Sequence, residues 1–184
     1  MIFLLDKGYI KYIGSSATRI DVQHLLDEGF SREKILPHIN LTYSIKCPLF
    51  VKLALSDFGF QITTMQSSRV ELFCPTASDV KGNDLQVSQE IADDIKATGE
   101  ALIINPKAYQ KDGCEPSVSQ VNSPLSLYNT IVVSGNISTW SKLIEFTNFP
   151  KLIDEYRIAI KDSIDCEYPE EVLYGKEKET PTDN

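Results

Sequence analysis

The chain has 184 residues, of which 42% are hydrophobic and 24% are charged, and its formal net charge is −8. This size and composition are typical of one soluble globular domain with a core of its own. The excess of acids argues against generic binding to nucleic acid, because such binding needs lysines and arginines that neutralise backbone phosphates.

The lengths of the apolar runs indicate where in the cell the protein is expected. Asp6 and Lys7 interrupt the opening apolar run before it reaches the length of a signal peptide. No apolar run is long enough for a membrane-spanning helix. We therefore expect a cytoplasmic protein without a membrane partner.

The four cysteines are far apart in the sequence and form no C-x-x-C pair. They are Cys47, Cys74, Cys114 and Cys166. This spacing indicates neither a zinc site nor a dithiol redox motif. We expect buried free thiols and no bound metal.

Two segments in the first quarter of the chain have the patterns of β-strands. Short β-forming runs at 2–5 and 9–13 flank a turn at residues 6–8, which predicts an opening hairpin. Residues 38–46 then alternate apolar and polar side chains, as expected of a strand with one buried face.

Two helices are predicted around that strand. The first is capped by Ser16 or Thr18 and runs to about Glu28. The second follows Pro48, which suits the first turn of a helix, and ends at Gly59. Its apolar residues cover nearly the whole circumference, which predicts a buried helix.

The second half of the chain is predicted to be mostly helical. Helices are predicted at 86–104, at about 114–121, at 137–147 with Asn136 as N-cap, and at 151–165. The run YNTIVVSG before Asn136 indicates a short strand or turn. The charged tail at 176–184 lacks apolar anchors, so we expect it to be disordered beside a single domain at 1–175.

Residues 47–69, CPLFVKLALSDFGFQITTMQSSR, carry the most informative motif. The stretch resembles the signature of flavin-dependent thymidylate synthases, the ThyX family, in which a run like PIFVARQ leads to Arg-His-Arg and then to Ser-x-Arg. Pro48 to Val51 open the motif here, and Ser67 and Arg69 close it. Residues 57–59, Asp-Phe-Gly, stand in the place of Arg-His-Arg.

The resemblance extends in order along most of the chain, up to about Gly175. LLDKGYIKYI is similar to the opening LDKG hairpin of the family, and PHINLTYSIKCPLF to its EHIVFTFHVKAPIF stretch. Residues 113–146 and the segment LIDEYRIAI match later family segments. The resemblance implies an α+β, ThyX-like fold, in which long helices flank a twisted antiparallel sheet. It also implies a homotetramer with sites between subunits, formed here around 48–69 and 113–122.

By resemblance, four positions belong to the nucleotide and flavin sites. Arg69 matches the arginine that approaches the nucleotide, and Ser67 the serine beside the pyrimidine. Gln120 stands in place of an arginine of the nucleotide site, and His38 matches a histidine that lines the flavin region. Each position also has an ordinary structural interpretation, as a surface or ion-paired arginine, a turn or cap serine, or a histidine with a structural hydrogen bond.

The replaced residues weigh against the ordinary family reaction. FAD is the cofactor that the resemblance implies, but Asp57, Phe58 and Gly59 lack the cations that would hold it, and Asp57 adds a negative charge. Ala54 and Met65 replace further polar motif residues. We therefore expect a protein of pyrimidine deoxynucleotide (dUMP/dTMP) metabolism without ordinary synthase turnover, a noncatalytic scaffold that binds a dUMP-like nucleotide or another protein. The alternative is an active FAD-dependent thymidylate synthase, or a related nucleotide-modifying enzyme, with an altered pocket.

Overall fold

The computed structural model describes residues 1–4, 7–65, 71–73, 93–94, 97–98 and 125–168. The strands are β1 (Ile2–Leu4), β2 (Gly8–Ser15), β3 (Asn40–Pro48), β4 (Gln61–Met65) and β5 (Tyr128–Asn136). The helices are α1 (Arg19–Asp27), α2 (Arg32–Ile35), α3 (Leu49–Ser56), α4 (Ile137–Glu145) and α5 (Lys151–Glu167), with a 3₁₀ turn at Leu36–His38. None of the helices in these ranges is both long and apolar enough to cross a lipid bilayer.

The five strands form one antiparallel sheet in the order β1-β2-β3-β5-β4. The predicted hairpin is confirmed, since Ile2 pairs with Ile10 across β1 and β2. Strand β2 carries an irregularity between Tyr12 and Gly14, where an extra residue changes which side chains face each side of the sheet. The mixed helix and antiparallel sheet confirm the predicted α+β class.

One face of the sheet packs against the helices. The buried side chains of this face alternate along the two central strands, as Leu41, Tyr43 and Ile45 on β3 and Ile131 and Val133 on β5. Burying each such side chain stabilises the fold by about 1.5–3 kcal/mol. The alternation in residues 38–46 therefore predicted the strand correctly, although β3 begins at Asn40 and not at His38.

The sequence-predicted caps are present. Thr18, and not Ser16, is the N-cap of α1, and it forms a capping box with Asp21. Asn136 caps α4 by accepting a hydrogen bond from the amide of Thr139 at 2.9 Å. Each cap satisfies amide groups that have no partner within the first turn of a helix.

Helix α4 is fastened to the sheet by Trp140. Its side chain is fully buried, and the indole nitrogen donates a hydrogen bond to the carbonyl of Gly135 on β5 at 3.0 Å. Helix α5 adds Tyr156, whose hydroxyl donates to the carbonyl of Lys46 on β3 at 3.0 Å. Since both polar atoms have partners, these large side chains can be buried without a desolvation penalty.

Three expectations differ from the structure. Helix α3 is not buried all round, because only Val51 and Leu55 are buried and Leu53 is 50% exposed. Residues 61–65 form β4, where no strand was predicted. Of the described helices only α5, with 17 residues, is long, so the expectation of flanking long helices is met by one helix in the described ranges.

Some expectations lie partly or wholly outside the described residues. Within the predicted helix at 86–104, only residues 93–94 and 97–98 are described, and they are helical and exposed. The predicted helix at 114–121 and the tail at 176–184 are not described. The single domain at 1–175 and the disordered tail stay predictions.

Candidate functional site

His38 lies at the end of the 3₁₀ turn, two residues before the start of β3, and its side chain is exposed. The backbone beside it is fixed on two sides. The amide of Ile137 donates to the carbonyl of Ile39 at 2.9 Å, and the amide of Asn40 donates to Oγ of Ser16 at 2.9 Å. The residues of the described ranges form no hydrogen bond to the imidazole. Hydrogen bonds thus hold the backbone beside His38, while its imidazole ring faces solvent. Within the described ranges, the ring does not make the structural hydrogen bond that was its alternative interpretation.

Asp57, Phe58 and Gly59 form the turn that ends α3. The amide of Phe58 donates to the carbonyl of Leu55 at 3.2 Å, and Gly59 has a φ of +80°, a conformation that glycine adopts without strain. Asp57 is exposed at the carboxyl end of the helix. The carbonyl groups at this end already carry partial negative charge. A phosphate group is therefore disfavoured beside Asp57.

Phe58 anchors an aromatic cluster. Its ring centroid lies 5.8 Å from that of Phe146, 5.8 Å from that of Phe149 and 6.5 Å from that of Phe60. The ring of Phe60 in turn lies 4.2 Å from that of Trp140. Aromatic pairs at such separations add stabilisation beyond the area they bury. Phe58 thus has a packing role in this chain.

Ser67, Arg69 and Gln120 lie outside the described residues. The described residues that flank the segment of Ser67 and Arg69 are Met65, which pairs with Thr130, and Glu71, whose carbonyl accepts from the amide of Tyr128 at 2.8 Å. Both flanks therefore lie at the Tyr128 end of β5.

His38 lies at the other end of the sheet. Asn40, two residues after it, pairs with Asn136 at the last position of β5. The rise of about 3.3 Å per residue separates Thr130 from Asn136 by about 20 Å along the strand. The described part of one chain therefore does not bring His38 next to the flanks of the segment that contains Ser67 and Arg69.

A charged cluster near Tyr128 was missed by the sequence analysis. Lys46 forms an ion pair with Glu71, and its Nζ lies 5.6 Å from the ring centroid of Tyr128. Lys7 donates a hydrogen bond to the carbonyl of Leu72 at 3.0 Å. These contacts join residues far apart in sequence, so the only local signal was that Lys46 lies on the polar side of an alternating strand.

The buried ionisable groups are structural in character. Burial raises the pKa of the Cys47 thiol to about 12, and burial also raises the pKa of the Tyr43 hydroxyl. A thiol with so high a pKa is a poor nucleophile near neutral pH. Within the described ranges, no group of three or more histidine, cysteine, aspartate or glutamate side chains could hold a metal ion.

Comparison with solved structures identifies the fold. The UMP/dUMP methylase PolB from Streptomyces cacaoi, in a crystal structure with bound 5-Br UMP, superposes with a TM-score of 0.68. The alignment covers 94% of this chain and 95% of that chain. The likeness is one of fold. At 15% identity it carries no residue assignments, and neither the family models nor the curated proteins match this sequence.

The α+β expectation is thereby confirmed, with a fold that a UMP/dUMP methylase also has. Membership of the ThyX family stays a prediction. The roles of Ser67, Arg69, Gln120 and His38 stay predictions as well.

Proposed function

We propose that this protein binds a uracil nucleotide such as dUMP and serves pyrimidine deoxynucleotide metabolism as a noncatalytic scaffold. The observation that carries the proposal is the likeness to PolB over nearly the full length of both chains, since PolB was crystallised with a uracil nucleotide. The order of the ThyX-like motifs along the sequence supports it independently. Ser67 and Arg69 are the proposed nucleotide contacts, with Gln120 as a further one.

The turn after α3 supports the loss of ordinary synthase turnover. FAD carries a pyrophosphate that needs cationic or other strong donors. Asp57 supplies an anion, Phe58 is packed among aromatic rings, and Gly59 has no side chain. These residues do not fit the group that the Arg-His-Arg motif would hold, so the scaffold function that we propose includes no flavin chemistry.

A protein that modifies a uracil nucleotide is the second candidate. The observation that favours it is that PolB, with the same fold, is a UMP/dUMP methylase. The exposed His38 is one described residue that such a reaction could use. This candidate requires an altered pocket that compensates for the missing cations.

We also propose that the site is assembled from more than one copy of the chain. His38 and the flanks of the segment of Ser67 and Arg69 lie at opposite ends of the sheet, about 20 Å apart at the strand rise. Two subunits packed together would bring His38 of one and that segment of the other to a single site. A homotetramer, as the ThyX resemblance implies, satisfies this requirement, and light scattering during gel filtration measures the number of chains directly.

Calorimetric titration with dUMP tests the proposed binding. The wild-type protein should show saturable heat, and Arg69→Met should weaken binding about tenfold or more, because a charge-assisted hydrogen bond contributes about 1.5–3 kcal/mol. The matched control is Arg19→Met, which removes an exposed arginine at the start of α1. Absence of heat with both dUMP and UMP would refute the proposal.

A turnover assay separates the two candidates. Wild-type protein is incubated with dUMP, methylenetetrahydrofolate, NADPH and FAD, and dTMP is measured by mass spectrometry. The scaffold proposal predicts no dTMP above that of a protein-free control. Formation of dTMP that is lost in His38→Ala but retained in Arg19→Met would establish the second candidate.

A further inference from the structure

The five described strands contain no acidic residue, although the chain has 26 of them. Two lysines, Lys11 on β2 and Lys46 on β3, lie on the sheet face opposite the buried core. Four hydroxyl-bearing residues lie around them on this face, together with the apolar Phe3 opposite Tyr9 and Val132 opposite Ser44. We call this surface the hydroxyl face; it comprises Tyr9, Lys11, Thr42, Ser44, Lys46 and Thr130.

The strand register places the two lysines close together. Lys11 pairs with Ser44, and Tyr9 pairs with Lys46. Lys11 and Lys46 are therefore diagonal neighbours on one face, at the spacing of about 7–8 Å typical of such pairs. Ser44 lies between them, opposite Lys11 and two residues before Lys46.

The two lysines differ in their partners. Lys46 is paired with Glu71, the one acid that the described contacts bring to this face. Lys11 is exposed and has no ion pair with any residue of the described ranges. An anion that binds beside Lys11 would therefore meet an ammonium group that no carboxylate of the described ranges pairs with.

The hydroxyl face is accessible to a ligand. Lys11 is exposed, while Ser44 and Thr130 are half-buried. Hydroxyl groups can donate to phosphate oxygens, and an ammonium group donates up to three hydrogen bonds. On a chain with a net charge of −8, a face whose strands carry lysines and no acids is electrostatically suited to an approaching anion.

We propose that the hydroxyl face binds the phosphate group of a small ligand, with Lys11 as the cation and Ser44 as a hydroxyl donor. Lys46 lies beside the site, but its charge is balanced by Glu71, so it is not the main contact of the phosphate. Where the ligand is the nucleotide proposed above, the inference rests on that function. Binding of inorganic phosphate or pyrophosphate does not depend on it.

Acetylation of lysines, followed residue by residue by mass spectrometry, tests the site. Pyrophosphate should slow the acetylation of Lys11 about fivefold or more at saturation, relative to sodium chloride of equal ionic strength. Lys34, exposed on α2, is the matched control and should be unaffected. Equal slowing of Lys11 and Lys34, or slowing of neither, overturns the proposal.

Two further arms separate this inference from the proposed function. If dUMP protects Lys11 and deoxyuridine does not, the nucleotide phosphate lies on the hydroxyl face. If pyrophosphate protects Lys11 and dUMP binds elsewhere without protecting it, the anion site stands and its link to the nucleotide is overturned.

Two variants test the residues of the site. Ser44→Ala should reduce the protection of Lys11 by pyrophosphate. Lys11→Met should weaken dUMP binding about tenfold, while Lys34→Met leaves the dUMP affinity unchanged. Unchanged protection in Ser44→Ala removes Ser44 from the site, and unchanged dUMP affinity in Lys11→Met overturns the nucleotide link.

Discussion

The ring of Phe60 lies directly against the backbone of Gly135, so that a Cβ at Gly135 would meet the ring Cδ1 at 2.6 Å. Phe60 follows the turn after α3, and Gly135 lies on β5 directly before the cap of α4. Since Phe60 also packs on Trp140 at 4.2 Å, its ring has little room to move. This contact fixes the end of α3 onto the centre of the fold.

Gly135→Ala should therefore destabilise the protein. The added methyl group has to displace a packed ring, and such overpacking costs about 1–3 kcal/mol in the free energy of unfolding. Gly14→Ala is the control, because a Cβ there meets no atom within 4 Å. Urea denaturation should place the two variants at least about 1 kcal/mol apart. Equal stability would contradict the close contact of Phe60.

Phe58→His, which places a histidine where the ThyX signature has one, should cost about 1–3 kcal/mol because it removes apolar contacts from the aromatic cluster. Leu53→His, on the helix that precedes this turn, is the matched control, since Leu53 is 50% exposed. Thermal and urea unfolding measure both changes. If Phe58→His is as stable as the control, Phe58 does not anchor the cluster.

Much of the fold could be predicted because its signals are local. The hairpin, the capping residues Thr18 and Asn136, and the alternation in β3 each depend on residues near one another in sequence. The strand β4 was missed because its residues QITTM are mostly polar and largely exposed at the edge of the sheet. Ile62 is the residue of this edge strand that packs against the core, so the strand shows little alternation, and its register is set by the partner strand.

The candidate site was less accessible to sequence reasoning, because its contacts are not local. The packing of Phe58 against Phe146 and Phe149 joins residues about half the chain apart. The ion pair of Lys46 with Glu71 likewise depends on the order of strands in the sheet. The sequence shows that Asp57, Phe58 and Gly59 are not cationic, whereas the packing role of Phe58 depends on the fold.

Cysteine reactivity should follow burial. Cys47 is buried and its pKa is raised to about 12, so roughly one thiol in ten thousand is ionised at pH 8. Cys166 is exposed. Iodoacetamide should label Cys166 within minutes and leave Cys47 unlabelled until the protein unfolds, as measured by mass spectrometry of peptides. Equal labelling of the two in native protein would contradict the packing around β3.

The capping box of α1 should make the stability of the protein depend on pH. The hydroxyl and the amide of Thr18 donate to the Asp21 carboxylate, at 2.6 Å and 2.7 Å, and hold its pKa below the ordinary value of 3.8. A lowered pKa means that this stabilisation is present above the unfolded-state pKa and is lost as the pH falls through the folded-state value. Asp21→Asn should therefore lower the melting temperature at about pH 6, and the difference should shrink towards about pH 3 and below. A difference that stays constant over that interval would contradict the role of the ionised carboxylate.

The absorbance spectrum of the protein, recorded after incubation with FAD and removal of free flavin, tests most directly our proposal that the chain binds no flavin. The protein should be colourless, because Phe58 packs against Phe146 and Phe149 and Asp57 repels phosphate. A yellow protein with about one flavin per chain would contradict this proposal, because residues other than those at 57–59 would then hold the pyrophosphate.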